Sequence, residues 1–226
     1  MLEILYPNLC VICSEGDCPS KICADCKKDL PLISTQDHCI LCKGNTDTIT
    51  QICSACLAHP PSWTKIACGF KFQKVGRDLL VRFKYSGHHY LLPLIVDFME
   101  QAHREQALPK ADFIIPVPMH PLKKFFRGWN QTELLAKEFA KRHPESTFIQ
   151  ALKRPRLTRP QASLNRRQRL KSSKHLFSLR NSEILKGGTI LLIDDVLTTG
   201  ATLNACCYAL EKAGVHQINI LTAARG

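Results

Sequence analysis

The sequence predicts an α/β protein, a mostly parallel sheet flanked by helices, carrying a small cysteine-rich appendage at its N-terminal end. Three observations carry this. From Ile66 onward, short apolar segments alternate with longer helix-patterned ones, the order of βαβ units rather than of an antiparallel sandwich. Ten of the twelve cysteines fall in residues 1–68. Eight of those stand as four C-x-x-C pairs, a spacing that points both sulfurs at one ion.

The elements follow in order. Ile66, Cys68, Phe70 and Phe72 alternate with small or polar residues, which reads as a strand. Residues 74–85 and 88–107 read as helices, the second interrupted near Pro93. Asp112–Val117 is a short buried strand ending at Pro118. Asn130 opens a helix to about Arg142, with Glu133 placed as its capping-box partner. Thr189–Ile193 is a wholly apolar strand, Thr202–Ala213 a helix closed by Gly214, and Gln217–Thr222 a last strand. Ligands in such sheets sit at the carboxyl ends of the strands.

Length and composition bound the rest. The 226 residues allow one ordinary domain and a small extra one, divided here at the Pro60-Pro61 pair into residues 1–60 and 61–226. The 45% hydrophobic and 22% charged content is that of a globular chain. The longest apolar run, Tyr90 to Val96, is far short of the ~20 residues of a membrane span. Glu3 and the lack of a basic leader argue against a secretory signal, and predict a cytoplasmic protein whose thiols stay reduced.

Cys10, Cys13, Cys23 and Cys26 are expected to form one metal site, and Cys39, Cys42, Cys53 and Cys56 a second. Four thiolates close the coordination sphere, so such a zinc ion is structural: it folds a segment too small to bury a core. A cross-braced arrangement, first pair with third, uses the same residues. Redox chemistry is the rival use of a C-x-x-C pair, and four copies in tandem disfavour it. Cys18 lies between knuckles as a spare ligand; Cys68, Cys206 and Cys207 read as core cysteines.

Charge divides the chain. Residues 1–68 hold 5 Lys/Arg against 7 Asp/Glu, and the remainder 26 against 12, so the net +12 lies wholly in the second part. A phosphate-bearing partner follows from that balance. Two four-thiolate zinc sites at about −2 each would lower the whole-chain charge to roughly +8 and leave the basic second part untouched.

The most informative stretch is Leu191–Leu203. An apolar strand delivers Asp194 and Asp195 at its end; Thr198, Thr199, Gly200, Ala201 and Thr202 then lead into a helix. Gly200 lets the backbone approach a ligand closely. The helix N–H groups and the threonine hydroxyls make an anion cradle. The two acids repel phosphate and suit a diol, or a diol with Mg2+. A ribose 5-phosphate meets both halves. Neither a Walker A sequence nor a G-x-G-x-x-G fingerprint occurs.

A second loop, Val117, Pro118, Met119 and His120, follows the strand before it. Residues 153–180 contain ten Lys or Arg and no acid. Together with Lys123, Lys124 and Arg127, which stand beside Phe125, Phe126 and Trp129, this segment suits single-stranded nucleic acid: cations for the backbone and rings for the bases. Arg154, Arg156, Arg159, Arg166, Arg167 and Arg169 are its candidate contacts. A solvated loop, or a hood over an anionic substrate, is the other use of the same residues.

The acidic pair followed by Thr-Thr-Gly-Ala-Thr resembles the phosphoribosyl-pyrophosphate (PRPP) signature of type I phosphoribosyltransferases. With His120-Pro121, Arg127-Gly128-Trp129-Asn130-Gln131, Pro160-Gln161-Ala162 with Leu164, and the tandem cysteine pairs, nearly the whole chain resembles the ComF-type competence proteins. The departure is Ser172, where family members often carry Asn. The resemblance implies a type I phosphoribosyltransferase-like sheet with an N-terminal double zinc ribbon. It implies Asp194 and Asp195 on the ribose hydroxyls, Thr198 to Thr202 on the 5-phosphate, and Val117 to His120 on pyrophosphate. It further implies PRPP with Mg2+, single-stranded DNA, helicase-like and DNA-processing partners, and a role in natural transformation. No catalytic residue and no acceptor is named by these motifs. A DNA-uptake factor, an active phosphoribosyltransferase acting on a base or amine, and a zinc-ribbon docking platform are the three functions to separate.

Overall fold

The computed structural model describes residues 9–16, 18, 21–33, 38–46, 49–85, 88–119, 128–154, 176–180 and 182–226. Its centre is a five-stranded parallel sheet of order β1-β7-β6-β2-β3. The strands are β1 Lys65–Lys71, β2 Phe113–Pro116, β3 Thr147–Phe148, β6 Thr189–Leu197 and β7 Gln217–Arg225. β4 (Leu152–Lys153) and β5 (Ser178–Leu179) pair antiparallel as a separate ribbon.

Helices cover both faces. On one lie α3 (Lys74–Tyr85), α4 (Leu92–Glu105) and α5 (Gln131–Lys141), burying Leu79, Leu80, Phe83, Ile95, Met99, Leu135 and Phe139 against Phe70, Ile114 and Leu191. On the other lies α6 (Ala201–Glu211), with Leu203, Cys206 and Leu210 against Ile66, Ile115, Leu192 and Ile220. Each large side chain buried this way is worth about 1.5–3 kcal/mol. β2 leads through α5 to β3, and β6 leads through α6 to β7, in opposite directions along the sheet. The switch point therefore lies between β2 and β6, where parallel sheets open a crevice for ligands.

Three expectations need correction. Pro93 does not interrupt a helix: a 3-10 turn at His89–Leu91 precedes α4, and Pro93 sits in the first turn, where its missing N–H costs nothing. The capping box at Asn130 does not form. Its side chain caps no backbone N–H, and Asn130 Oδ1 instead lies 2.7 Å from the Thr132 hydroxyl, while Glu133 pairs with Lys137 at 2.7 Å. β6 and β7 also outrun their apolar cores. Asp194, Val196 and Leu197 stay paired with Thr222, Ala224 and Arg225.

The cysteine segment rests on this sheet. Its two short helices, α1 (Ala24–Lys28) and α2 (Ser54–Ala58), each follow directly on a cysteine, Cys23 and Cys53. Val11 and Leu30 join the sheet's core, and Lys71 N–H donates to the Pro31 carbonyl at 2.8 Å. Among the described residues no helix is long and apolar enough to cross a membrane.

Candidate ribose-phosphate site and metal centres

The end of β6 builds the principal site. Asp194, Val196, Leu197, Thr198, Thr199, Gly200, Ala201, Thr202 and Leu203 line one small, open concavity. The strand places the carboxylate, Gly200 turns the chain with φ of 76°, and α6 begins at the next residue. That positive φ is open to glycine and strained for other residues. Thr198 and Thr199 are exposed, and the Thr199 hydroxyl accepts from the Ala201 N–H at 3.4 Å.

The two acids are not equivalent. Asp195 is held in an ion pair with Lys84 of α3 at 2.8 Å, with 14% of the lysine and 20% of the aspartate side chain exposed. Asp194 lines the concavity and accepts from the Asp195 N–H at 2.8 Å. Loss of hydration, and then the neighbouring Asp195 charge, push its carboxyl up to about 8. A carboxyl poised this way gains from a cation or from hydroxyl donors placed against it.

The loop after β2 lies beside β6. Val117 N–H donates to the Ile193 carbonyl at 2.9 Å, and the Val117 carbonyl accepts from the Thr132 hydroxyl at 2.5 Å. Val117 is buried, while Pro118 and Met119 are partly exposed. His120 lies outside the described residues. So do Lys123, Lys124, Arg127, Arg156, Arg159, Arg166, Arg167 and Arg169. Arg154 is described: its guanidinium stands 5.6 Å from the Phe177 ring centroid. The β4–β5 ribbon thus draws the two ends of the basic segment together, and β5 lies against α6.

Near the Val117 loop, His89 packs edge-on to Trp129, ring centroids 4.3 Å apart. Trp129 Nε1 and the whole Gln131 side-chain amide are buried without a hydrogen-bond partner. Tyr85 and Tyr90 are exposed nearby on the chain.

The thiols settle their own pairing. Cys10, Cys13, Cys23 and Cys26 converge in one group and Cys39, Cys42, Cys53 and Cys56 in another, all sulfurs of a group within 4.8 Å of one another. Cross-bracing is excluded. The Cys13–Cys23 and Cys42–Cys53 sulfurs are each 3.8 Å apart. A tetrahedron with Zn–S of about 2.3 Å has an edge of about 3.8 Å. Each group can hold one metal ion, and four soft, closed-shell donors are consistent with zinc.

The surroundings fit a negatively charged centre. Cys23 and Ile12 N–H groups point at Cys10 Sγ, and Cys53 N–H at Cys39 Sγ. Burial opposes ionisation of Cys10 and Cys39, but these and neighbouring N–H donors bring them down to about 6 and about 7. Lys43 is 8% exposed and within electrostatic reach of Cys68, Cys39 and Cys42. A buried ammonium requires such a counter-charge. Cys18 is buried with Cys10 and Ile22 outside the four-sulfur group. Cys68, Cys206 and Cys207 are core residues, and burial pushes their thiols up.

Three functional neighbours were not legible in the sequence: Lys84, Trp63 and Arg225. Trp63 Nε1 donates to the Leu41 carbonyl at 2.8 Å, and Arg225 Nε donates to the Cys42 carbonyl at 2.7 Å. All three act across long sequence separations that no local pattern encodes.

Comparison with known proteins agrees with this geometry. A family profile described as "Phosphoribosyl transferase domain" matches residues 136–226, which include the β6 loop. Competence protein F of Haemophilus influenzae is 30% identical over 209 residues, covering 90% of each chain. Competence protein ComFC of Streptococcus pneumoniae is 26% identical, covering 98% of this chain and 94% of that one. DNA utilization protein YhgH of Salmonella typhi is 26% identical over 96% of each. With both four-cysteine groups and the phosphoribosyltransferase-type sheet also in place, this chain belongs to the ComF competence protein family.

Proposed function

We propose that this protein is a competence and DNA-utilisation factor that binds PRPP, or a related ribose-phosphate, with Mg2+ at the β6 loop, and single-stranded DNA on its basic surface. The observation that carries the reading is the concavity joining Asp194 to the Thr198–Thr202 turn. It offers an acceptor for ribose hydroxyls at one end, and N–H and hydroxyl donors for phosphate at the other. Mg2+ would sit with the diol and the acids, screening charge on the diphosphate. Lys84 fixes Asp195 and leaves Asp194 facing the ligand.

Zinc is the metal for the two four-cysteine groups, and the domains divide near residue 60. Thiols kept reduced on these ions support a cytoplasmic location. DNA is held through the basic segment rooted on the β4–β5 ribbon, with Arg154 at its base, and through the cationic and aromatic residues near Trp129. The relatives' names, which speak of competence and DNA utilisation, support a DNA partner; helicase-like and DNA-processing proteins are the protein partners that the family resemblance implies.

An active transferase is the second reading, favoured by the match to the phosphoribosyl transferase domain. There the same loop would hold the sugar while pyrophosphate leaves toward the Val117–His120 loop, and positioning would supply the rate.

Anisotropy with single-stranded oligonucleotides across a salt series tests the DNA half. Arg166→Ala with Arg167→Ala should weaken binding and flatten the log–log salt slope by about 1.4, two phosphates at about 0.7 each. An unchanged slope removes that segment from the interface. Pyrophosphate release from PRPP and Mg2+ with a panel of bases and amines separates a transferase from a binding protein.

A further inference from the structure

The second cysteine group and the β6 loop are far apart in sequence and meet through two side chains. Trp63 is 6% exposed. Its indole N–H is held by the Leu41 carbonyl, inside the Cys39–Cys42 knuckle, at 2.8 Å. The far edge of the same ring lies under the loop: a Cβ built on Gly200 would stand 2.9 Å from Trp63 Cη2. Arg225 does the equivalent one strand over. Its Nε donates to the Cys42 carbonyl at 2.7 Å and its Nη1 to the Leu197 carbonyl at 3.3 Å. Leu197 is where the chain leaves β6 for the loop, and its carbonyl also accepts from Gly226 N–H at 2.8 Å.

Both anchors thus hang on backbone carbonyls of one knuckle. That knuckle's shape is set by Cys39 and Cys42 converging with Cys53 and Cys56, and by the turn bond from Lys43 N–H to the Cys39 carbonyl at 2.8 Å. The first cysteine group makes no such connection among the described residues; it packs on Val75 and Leu94.

From this wiring we infer that metal occupancy of the Cys39/Cys42/Cys53/Cys56 group is energetically linked to ligand affinity at the β6 loop, with Trp63 and Arg225 as the positioning residues that transmit it. The inference rests on the ribose-phosphate reading of that loop. Linkage is reciprocal: if the metal tightens ligand binding by some factor, the ligand tightens that metal by the same factor. The first group is outside this cycle.

The test uses full-length, metal-replete protein and PRPP with Mg2+ as the ligand. Metal affinity is read at equilibrium against a chromogenic chelator, with and without PRPP, in the wild type and in Cys13→Ser, which leaves the second group as the complete one. The expected result is one metal equivalent held about tenfold more tightly when PRPP is present, a typical coupling, and the same gain in Cys13→Ser. Trp63→Phe keeps a ring but loses the N–H; Arg225→Lys keeps the charge but loses the fork that reaches two carbonyls. Each should retain both metals and a cooperative melt, weaken PRPP binding about fivefold, and lose the ligand-dependent gain in metal affinity. PRPP binding by wild type with no change in either metal's affinity would overturn the linkage while sparing the loop assignment. So would variants with wild-type coupling. A wild type that binds no PRPP would overturn both.

Discussion

The two cysteine groups share a spacing and differ in what they touch. Cys10, Cys13, Cys23 and Cys26 sit against α3 and α4 through Ile22, Val75 and Leu94, with Cys13 exposed. Cys39, Cys42, Cys53 and Cys56 back onto Trp63 and Arg225 at the carboxyl end of the sheet. The same motif therefore does two jobs. In one place it folds a surface segment. In the other it braces the loop where the ligand would lie. Position on the sheet, not ligand spacing, decides the difference.

Breaking the second group should have the largest effect. Cys39 is wholly buried, and a structural zinc site carries on the order of 10 kcal/mol of folding free energy. Cys39→Ser should lose one metal equivalent by mass spectrometry and lower the thermal midpoint by well over ~10 °C, at about 2–4 °C per kcal/mol. Cys13→Ser should also lose one metal but shift the midpoint less. Equal shifts would erase the distinction between the two groups.

Next comes the Lys84–Asp195 pair, which ties α3 to the end of β6. Lys84→Ala leaves a largely buried carboxylate unpartnered, and should cost on the order of 2 kcal/mol by denaturant unfolding. Lys84→Ala with Asp195→Asn should recover part of that loss. No recovery would mean the lysine acts through packing alone.

The third effect is a pH dependence. The Asp194 carboxyl gives up its proton near 3.8 when unfolded and near 8 when folded. Between those values the folded protein binds the extra proton, so the contribution is full below about pH 4 and lost as pH rises through about 8. The wild-type midpoint should fall between about pH 5 and 9 more than that of Asp194→Asn. Parallel curves would place Asp194 in a more polar setting than the structure gives it.

The smallest effect belongs to the solvent side of α5. Glu138→Ala removes an exposed pair with Lys141 at 2.7 Å and should change stability by less than about 0.5 kcal/mol. A larger loss would mean the surface, and not the two metal-braced regions, carries unrecognised stability.

Much of this was readable from the chain. The four C-x-x-C pairs named the eight thiols that converge in two groups able to hold a metal ion, and Asp194 with Thr-Thr-Gly-Ala-Thr named residues that line the concavity, while Asp195 pairs with Lys84. Helix periodicity placed α3 to its ends, 74 and 85. What failed shows where local pattern stops. β6 runs past Ile193, through the two acids to Leu197, because β7 supplies ladder partners there, so the strand outlasts the apolar run that announced it. The capping box at Asn130 lost to a tertiary contact, since the Thr132 hydroxyl reaches the Val117 carbonyl and Glu133 turns to Lys137. Trp63, which belongs to no sequence motif, is the wedge beneath Gly200.

The central claim is a ribose-phosphate gripped where Asp194 meets the threonine turn. Calorimetry of metal-replete protein with PRPP and Mg2+ tests it most directly. The account predicts heat from one site per chain, lost in Asp194→Ala and in Thr199→Ala while both metals stay bound. An absence of heat from PRPP and from ribose 5-phosphate in the intact protein would contradict it.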